Sequence, residues 1–208
     1  MASVIGLLGD GHQADETEDF GRPAAILFRA VASQYLESGR ENLIDIATSD
    51  EQFLGVPVIS AVGAPGLRRT LVRSWSGTLY ASVVADGAWI SPSAKIGSGT
   101  LIAPNAVIST KATLGDHVLV NISASVSHDS VLGDFVTLSP GARVAGKCRI
   151  GDGVFLGIGA VVSDGISIAS GTVVGAGAVV IGDILLPGVY VGVPAKKLRD
   201  QEGWLSAI

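Results

Sequence analysis

A branched aliphatic residue recurs at every sixth position over the second half of the chain. The series contains only valine, isoleucine and leucine, and it runs without a slip through Val84, Ile90, Ile96, Ile102, Ile108, Leu114, Val120, Val126, Leu132, Leu138, Val144, Ile150, Leu156, Val162, Ile168, Val174, Val180 and Leu186. A period of six fits neither a helix nor the two-residue alternation of a strand. It predicts short strands with inward aliphatic side chains, each followed by a corner. Three such sides close a coil of about 18 residues, so the series predicts a parallel β-helix of about six coils.

A second, smaller residue recurs four positions after each aliphatic one. These positions are Ala88, Ala94, Thr100, Ala106, Ala112, Val118, Ala124, Ser130, Val136, Ala142, Cys148, Val154 and Ala160. A β-sandwich, the main alternative for many short strands, would space its turns irregularly. We therefore expect an all-β parallel β-helix domain with a C-terminal tail over residues 81–208.

Residues before about 80 do not follow the six-residue repeat. Their pattern predicts a buried strand over 4–8, a glycine-rich turn over 9–12, a helix over 24–38, strands over 43–47 and 56–62, and a helix over 67–74. This order is typical of a small α/β, Rossmann-like domain, which we place at residues 1–80. Because backbone N–H groups of such a turn can approach a phosphate, the domain is a candidate nucleotide-binding domain.

Composition narrows the classes of function. The net charge of −5 and the absence of a Lys/Arg run argue against nucleic-acid binding. A single cysteine, Cys148, cannot form an internal disulfide, which fits a reducing cytoplasm. Because Cys148 stands at a small inward position of the repeat, we expect it to be a core residue. Neither a signal peptide nor an apolar run of about 18 residues is present, so we expect no membrane span.

Candidate chemistry centres on His128 and its neighbour Asp129. A histidine is the natural general base near neutral pH, and an adjoining carboxylate can orient it and raise its basicity. One coil further on, Gly146 should stack on His128, and its open backbone N–H could steady the oxyanion of a tetrahedral intermediate. The alternative is a surface histidine beside a surface acid; stacking with Gly146 favours an acyl-transfer site.

The other two histidines do not extend this site. His117 lies in a Gly-Asp-His turn and is expected to be exposed. A zinc site needs several ligands at one place, and His12 lies in the other domain. We therefore expect no metal.

Five motifs give the sequence a specific resemblance. They are Val120-Asn121, SVSHDSVLGDF at 125–135, SPGARVAG at 139–146, FLGI at 155–158 and VGVPAK at 191–196. In these motifs and in its two-domain layout the chain resembles the PglD/NeuD group of sugar acetyltransferases. The resemblance implies a left-handed β-helix, homotrimers that use acetyl-CoA, active sites at subunit boundaries, and a nucleotide-linked amino sugar as acceptor.

The resemblance also implies roles for individual residues. His128 would take a proton from the sugar amine, Asp129 would raise its basicity, and the Gly146 N–H would stabilise the oxyanion. Asn121 would help to place the sugar. The positions that would contact acetyl-CoA are Thr137, Ile158, Ala176 and Lys196, and those that would bind the nucleotide are Asp10, Gly11, His12, Asp50 and Gly63.

The sequence departs from the group at three places. Leu8 stands where the first turn has a leading glycine, and Thr137 stands where many members carry a histidine. The acidic residues after His12 predict a longer loop before the first helix. None of these departures touches His128, Asp129 or Gly146.

Three functions remain open from the sequence. The leading hypothesis is N-acetylation of a nucleotide-linked amino sugar by direct attack of the amine on acetyl-CoA. O-acetylation of a sugar hydroxyl is a close alternative, since that reaction does not require a bound nucleotide. A non-catalytic β-helix scaffold is disfavoured by the His-Asp-Gly set in register.

Overall fold

The N-terminal part of the chain is an α/β unit. The computed structural model describes residues 4–21, 24–37, 42–47 and 51–207. Its first elements are β1 (Val4–Leu8), α1 (His12–Phe20), β2 (Ala25–Val31), a 3-10 helix (Ser33–Tyr35), β3 (Leu43–Asp45), α2 (Glu51–Leu54), β4 (Val58–Ser60) and α3 (Pro65–Ser74). The four strands form one parallel sheet in the order β3-β2-β1-β4. The predicted first strand, the strands over 43–47 and 56–62 and the helix over 67–74 are confirmed, with bounds that differ by a few residues.

Two expectations for this unit are wrong. Within the described residues 24–37, the predicted helix is instead strand β2 followed by the 3-10 helix, because its apolar run lies between β1 and β3 in the sheet. A strand buried between two neighbours reads as a continuous apolar run, which periodicity does not separate from a buried helix. The predicted loop after His12 is helix α1, which buries only Ala14 and Thr17 and so carries little apolar signal.

The rest of the chain is a parallel β-helix with three faces. The first face contains β5 (Val83–Val84), β8 (Leu101–Ile102), β11 (Leu119–Val120), β14 (Thr137–Leu138), β17 (Phe155–Leu156), β20 (Val173–Val174), β22 (Val189–Val191) and β23 (Lys196–Arg199). The second contains β6 (Trp89–Ile90), β9 (Val107–Ile108), β12 (Ser125–Val126), β15 (Arg143–Val144), β18 (Val161–Val162) and β21 (Val179–Val180). The third contains β7 (Lys95–Ile96), β10 (Thr113–Leu114), β13 (Val131–Leu132), β16 (Arg149–Ile150) and β19 (Ser167–Ile168).

The predicted inward positions form the solenoid core. From Ile102 to Val180 every one is buried, with an exposed fraction of at most 3%. Val84, in the first coil, is 50% exposed. The last coil is shortened, so that Tyr190 pairs with Val174, and Leu186 leaves the inward row and is 66% exposed. The repeat therefore fails at its ends, where a coil lacks a neighbour of the same length to pack against.

The α/β unit packs on the first face of the solenoid. Ile5, Leu7 and Ile59 share a buried cluster with Val83, Leu101 and Leu119, the residues that this face turns outward. Burial of such aliphatic side chains contributes roughly 1.5–3 kcal/mol each. The two parts of the chain therefore share an apolar core.

Arg68 of α3 is the polar centre of this contact. It is 1% exposed, and its guanidinium donates to the carbonyl oxygens of Val62, Gly63, His117, Phe135 and Val136 and to Thr137 Oγ1, over 2.6–3.2 Å. Burial lowers the pKa of Arg68 to about 9, which leaves the group protonated at neutral pH. Every acceptor that the structure gives this buried cation is neutral.

Aromatic rings line the corner between the third and first faces, which we call the third corner. His117 packs between Tyr80 and Phe135, with ring centroids 4.6 and 4.9 Å away, and it is only 6% exposed. The expectation that His117 is exposed is therefore wrong, because α3 and Tyr80 cover this corner. In the C-terminal tail, Trp204 continues the column beyond Phe135 and carries the Arg69 guanidinium 3.8 Å from its ring.

No helix within the described ranges is both long enough and apolar enough to cross a membrane.

Candidate active site

A cavity of about 760 Å³ lies at the carboxyl ends of the parallel strands in the α/β unit. It is lined by the turn after β1, the segment after β2, the end of β4 and the inner side of α3. The strand order reverses between β1 and β4, and ligands of open α/β sheets bind in the crevice at such a reversal. The cavity is thus the candidate ligand site of this unit.

The predicted nucleotide-binding residues are only partly gathered there. Asp10, Gly11 and Gly63 line the cavity, whereas His12 is exposed and is not among its lining residues. Asp50 lies outside the described residues.

Asp10 forms an ion pair with Arg29. Arg29 of β2 donates to Asp10, Asp15 and Glu18 at 2.7–2.9 Å. Although burial opposes its charge, the hydrogen bonds to these three carboxylates raise the pKa of Arg29 above its ordinary value. Of the three carboxylates only Asp10 lines the cavity, so Arg29 holds this carboxylate in place beside the glycine-containing turn.

Gln13 connects the cavity with the solenoid. It follows His12 on α1 and lines the cavity, and its Oε1 lies 3.4 Å from Asn121 Nδ2. Its Nε2 donates to Glu16 at 3.2 Å, which fixes the orientation of the amide. Asn121 is 8% exposed beneath it, at the corner between the first and second faces, which we call the first corner.

His128 and Asp129 occupy the corner between the second and third faces, which we call the second corner. His128 Nδ1 lies 2.9 Å from Asp129 Oδ2, and both side chains are about half exposed. The hydrogen bond with His128 holds the pKa of Asp129 below its ordinary value, and Lys111 and Lys147 act in the same direction. Because an ionised carboxylate only accepts, Nδ1 carries the hydrogen of this contact, and in the neutral imidazole the lone pair is then on Nε2. This is the tautomer that a general base needs.

Gly146 stacks on His128 as the repeat predicts. A Cβ atom at Gly146 would lie 2.7 Å from Cε1 and Nε2 of His128, so a side chain at residue 146 would force the ring to move. The Gly146 N–H is not open, contrary to the expectation: it donates to Asp164 Oδ1 at 2.9 Å.

The predicted acetyl-CoA contacts fall in different places. Ile158 and Ala176 are exposed on the first corner, and Lys196 is exposed at the start of β23. Thr137 does not join them, because it is 2% exposed between the α/β unit and the solenoid. Its hydroxyl donates to the Gly63 carbonyl and accepts from Arg68, so both of its polar functions are already in use.

Six of the predicted site residues lie on two corners of one chain. His128, Asp129 and Gly146 lie on the second corner, whereas Asn121, Ile158 and Ala176 lie on the first. The whole second face separates them. A single copy therefore does not bring all the predicted residues together.

Sequence reasoning missed Gln13 and Asp164. Gln13 carried no motif signal, because its partner Asn121 is distant in sequence. Asp164 could have been found, since it stands 18 residues after Gly146, the same step that leads from His128 to Gly146.

Cys148 is confirmed as a core residue, with 0% exposure and a thiol whose pKa burial raises. Within the described ranges no group of three or more His, Cys, Asp or Glu side chains is placed to hold a metal ion.

Solved structures similar to this chain include acetyltransferases. The acetyltransferase domain of PglB from Neisseria gonorrhoeae is 27% identical, with a TM-score of 0.81 over 94% of this chain and 99% of that chain. A variant of perosamine N-acetyltransferase from Caulobacter crescentus, in complex with CoA and GDP-perosamine, is 28% identical, with a TM-score of 0.81 over 96% and 98%. WeeI from Acinetobacter baumannii, 24% identical, has the same fold, with a TM-score of 0.79 over 95% and 100%. Neither a family model nor a curated relative matches the sequence.

The repeat, the His-Asp pair and these likenesses define an acetyltransferase of the hexapeptide-repeat class. Within that class, the resemblance to the PglD/NeuD-like sugar acetyltransferases is confirmed.

Proposed function

We propose that this chain transfers an acetyl group from acetyl-CoA to the amino group of a nucleotide-linked amino sugar. The observation that carries the proposal is the His128–Asp129 pair at 2.9 Å, which leaves Nε2 of a partly exposed imidazole as a proton acceptor. The cavity at the carboxyl ends of β1 and β4 is the proposed site for the nucleotide. The perosamine N-acetyltransferase complex, which contains CoA and GDP-perosamine, supports the pairing of these two ligands.

The chemistry follows from the tautomer of His128. The acetyl thioester supplies an electrophilic carbonyl carbon, which the amine nitrogen attacks. His128 Nε2 takes a proton from that nitrogen, and Asp129 stabilises the imidazolium that forms. The same proton then passes to the departing thiolate, which restores the neutral ring. No covalent enzyme intermediate is needed, and the thiol of Cys148 is buried in the core.

A homotrimer would complete the site. Because the first and second corners of one chain lie on opposite edges of the second face, His128 of one copy can meet Asn121 and Ile158 only of a neighbour. The second face turns Trp89 and Val107 outward, at 52% and 39% exposure, which gives a second copy an apolar surface to bury. We place the acetyl-CoA site at this boundary, with the exposed Lys196 near its phosphates. The compartment proposed is the cytoplasm, where Cys148 would stay reduced.

A thiol-release assay tests the function. The full chain is incubated with acetyl-CoA and a panel of UDP-, dTDP- and GDP-linked 4-amino sugars, with free sialic acid included. We expect turnover of one nucleotide-linked amine. Turnover of free sugar hydroxyls alone would replace the proposal by O-acetylation, and absence of acetyl-CoA binding by calorimetry would favour a scaffold.

Gln13 is expected to contact the sugar, because it lies between the cavity and Asn121. Gln13→Ala should raise the KM of the nucleotide-linked sugar roughly 2- to 12-fold, the range for one lost hydrogen bond. The Kd of the free nucleotide, measured by calorimetry, should not change.

Gln34→Ala is the matched control for this prediction. Gln34 lines the same cavity from the 3-10 helix, away from the Asn121 contact. Its loss should weaken nucleotide and nucleotide-linked sugar equally. If Gln13→Ala also weakens both equally, Gln13 contacts the nucleotide and not the sugar.

A further inference from the structure

Asp164 lies on the second corner, one coil beyond Gly146. Its Oδ1 accepts the Gly146 N–H at 2.9 Å. The Cβ position at Gly146 lies 2.7 Å from His128 Nε2 and 3.1 Å from this same carboxylate oxygen. The carboxylate, the amide and the proposed base therefore surround one small space, in which the reacting groups would have to meet.

A hydrogen bond from a turn N–H to a carboxylate of the next coil, which we call a carboxylate cap, recurs at the third corner. His117 at that corner is buried in the aromatic column and offers no accessible base. The Ser98 N–H donates to Asp116 Oδ1 at 2.7 Å, the Asp116 N–H to Asp134 Oδ1 at 2.8 Å, and the Asp134 N–H to Asp152 Oδ1 at 2.9 Å. There a carboxylate from the next coil simply satisfies a turn N–H. At the second corner the same arrangement falls on the amide next to His128.

We propose that Asp164 is a positioning residue that masks the Gly146 N–H and so limits the rate of acetyl transfer. This inference rests on the proposed function. An amide hydrogen held by a carboxylate is not available to an oxyanion, and the oxyanion would form beside a negative charge. Transfer proceeds from the fraction of molecules in which Asp164 has turned away, and the observed rate is reduced by that fraction.

Steady-state kinetics of two Asp164 variants test the masking. Asp164→Ala is expected to raise kcat roughly tenfold, the factor for one hydrogen bond to a charged group at the low end of its range. The KM values of both substrates should stay within about twofold, because Asp164 acts through Gly146. Asp164→Asn keeps an acceptor oxygen but removes the charge, so a smaller rise in kcat is expected.

Asp134→Ala is the matched control. It removes the same kind of cap at the third corner, away from His128, and should leave kcat unchanged. Its melting temperature should fall about as much as that of Asp164→Ala, which separates the structural part of the cap from its effect on the rate.

The kinetics of the two alanine variants decide the inference. A faster Asp164→Ala enzyme beside an unchanged Asp134→Ala enzyme supports masking. An unchanged or lower kcat in Asp164→Ala overturns it, as does a raised KM of the amine alone, which would place Asp164 on the acceptor. A wild-type enzyme that acetylates no amine sinks the proposed function instead.

Discussion

His128→Ala is expected to lower kcat about 10²- to 10⁴-fold, the usual contribution of a positioned general base. His128 Nε2 is the acceptor that the contact with Asp129 leaves for the amine proton. Acetyl-CoA binding should persist, because Ile158 and Ala176 lie on another corner. The measurements are kcat by thiol release and acetyl-CoA affinity by calorimetry.

Thr110→Ala is a matched control for this variant. Thr110 is exposed on the second corner one coil earlier, and its contact with Asp129 uses only its backbone oxygen. Activity of Thr110→Ala should stay within about twofold of wild type, since most surface substitutions have small effects. Full activity of His128→Ala would contradict the assignment of the base.

Arg68→Leu is expected to destabilise the protein by several kcal/mol, because each buried acceptor left without a donor costs about 1–3 kcal/mol. The guanidinium donates to five carbonyl oxygens and the Thr137 hydroxyl. Leucine would leave these acceptors buried without that donor. The contact joins α3 to the third corner, so the α/β unit should unfold before the solenoid. Urea unfolding followed by far-UV circular dichroism and by tryptophan fluorescence should then show two transitions instead of one.

Arg69→Leu is the control on the same helix. Its guanidinium stacks on Trp204, a contact worth about 0.5–2 kcal/mol. If Arg68→Leu lowers the free energy of unfolding no more than Arg69→Leu does, the buried network does not hold the two units together.

Several parts of this protein could be predicted from its sequence because the same pattern recurs in each successive coil. From Val83 to Val162 each strand pairs with the strand 18 residues on, as Leu119 does with Thr137, so burial at Ile102 or Leu138 follows from position alone. The contact between His128 and Asp129 is likewise local. The stacking of Gly146 on His128 could be predicted because the two residues are 18 positions, or one coil, apart.

Other features depended on contacts between the two units. Residues 24–38 contain a strand because β1 and β3 flank it, and His117 is buried because α3 and Tyr80 cover its corner. The same packing takes Thr137 out of the predicted acetyl-CoA contacts and gives its hydroxyl to Arg68 and Gly63.

The sequence by itself thus determined the coil, its register and the His-Asp pair, because a solenoid converts chain position into spatial position. Only the tertiary structure decided what covers each face and what each polar group is bonded to. Gln13 meets Asn121 across 108 residues, and the side chain of Asp164 turns to the Gly146 N–H. Such contacts depend on how folded surfaces meet and on which donors they leave within reach, which no local pattern in the chain records.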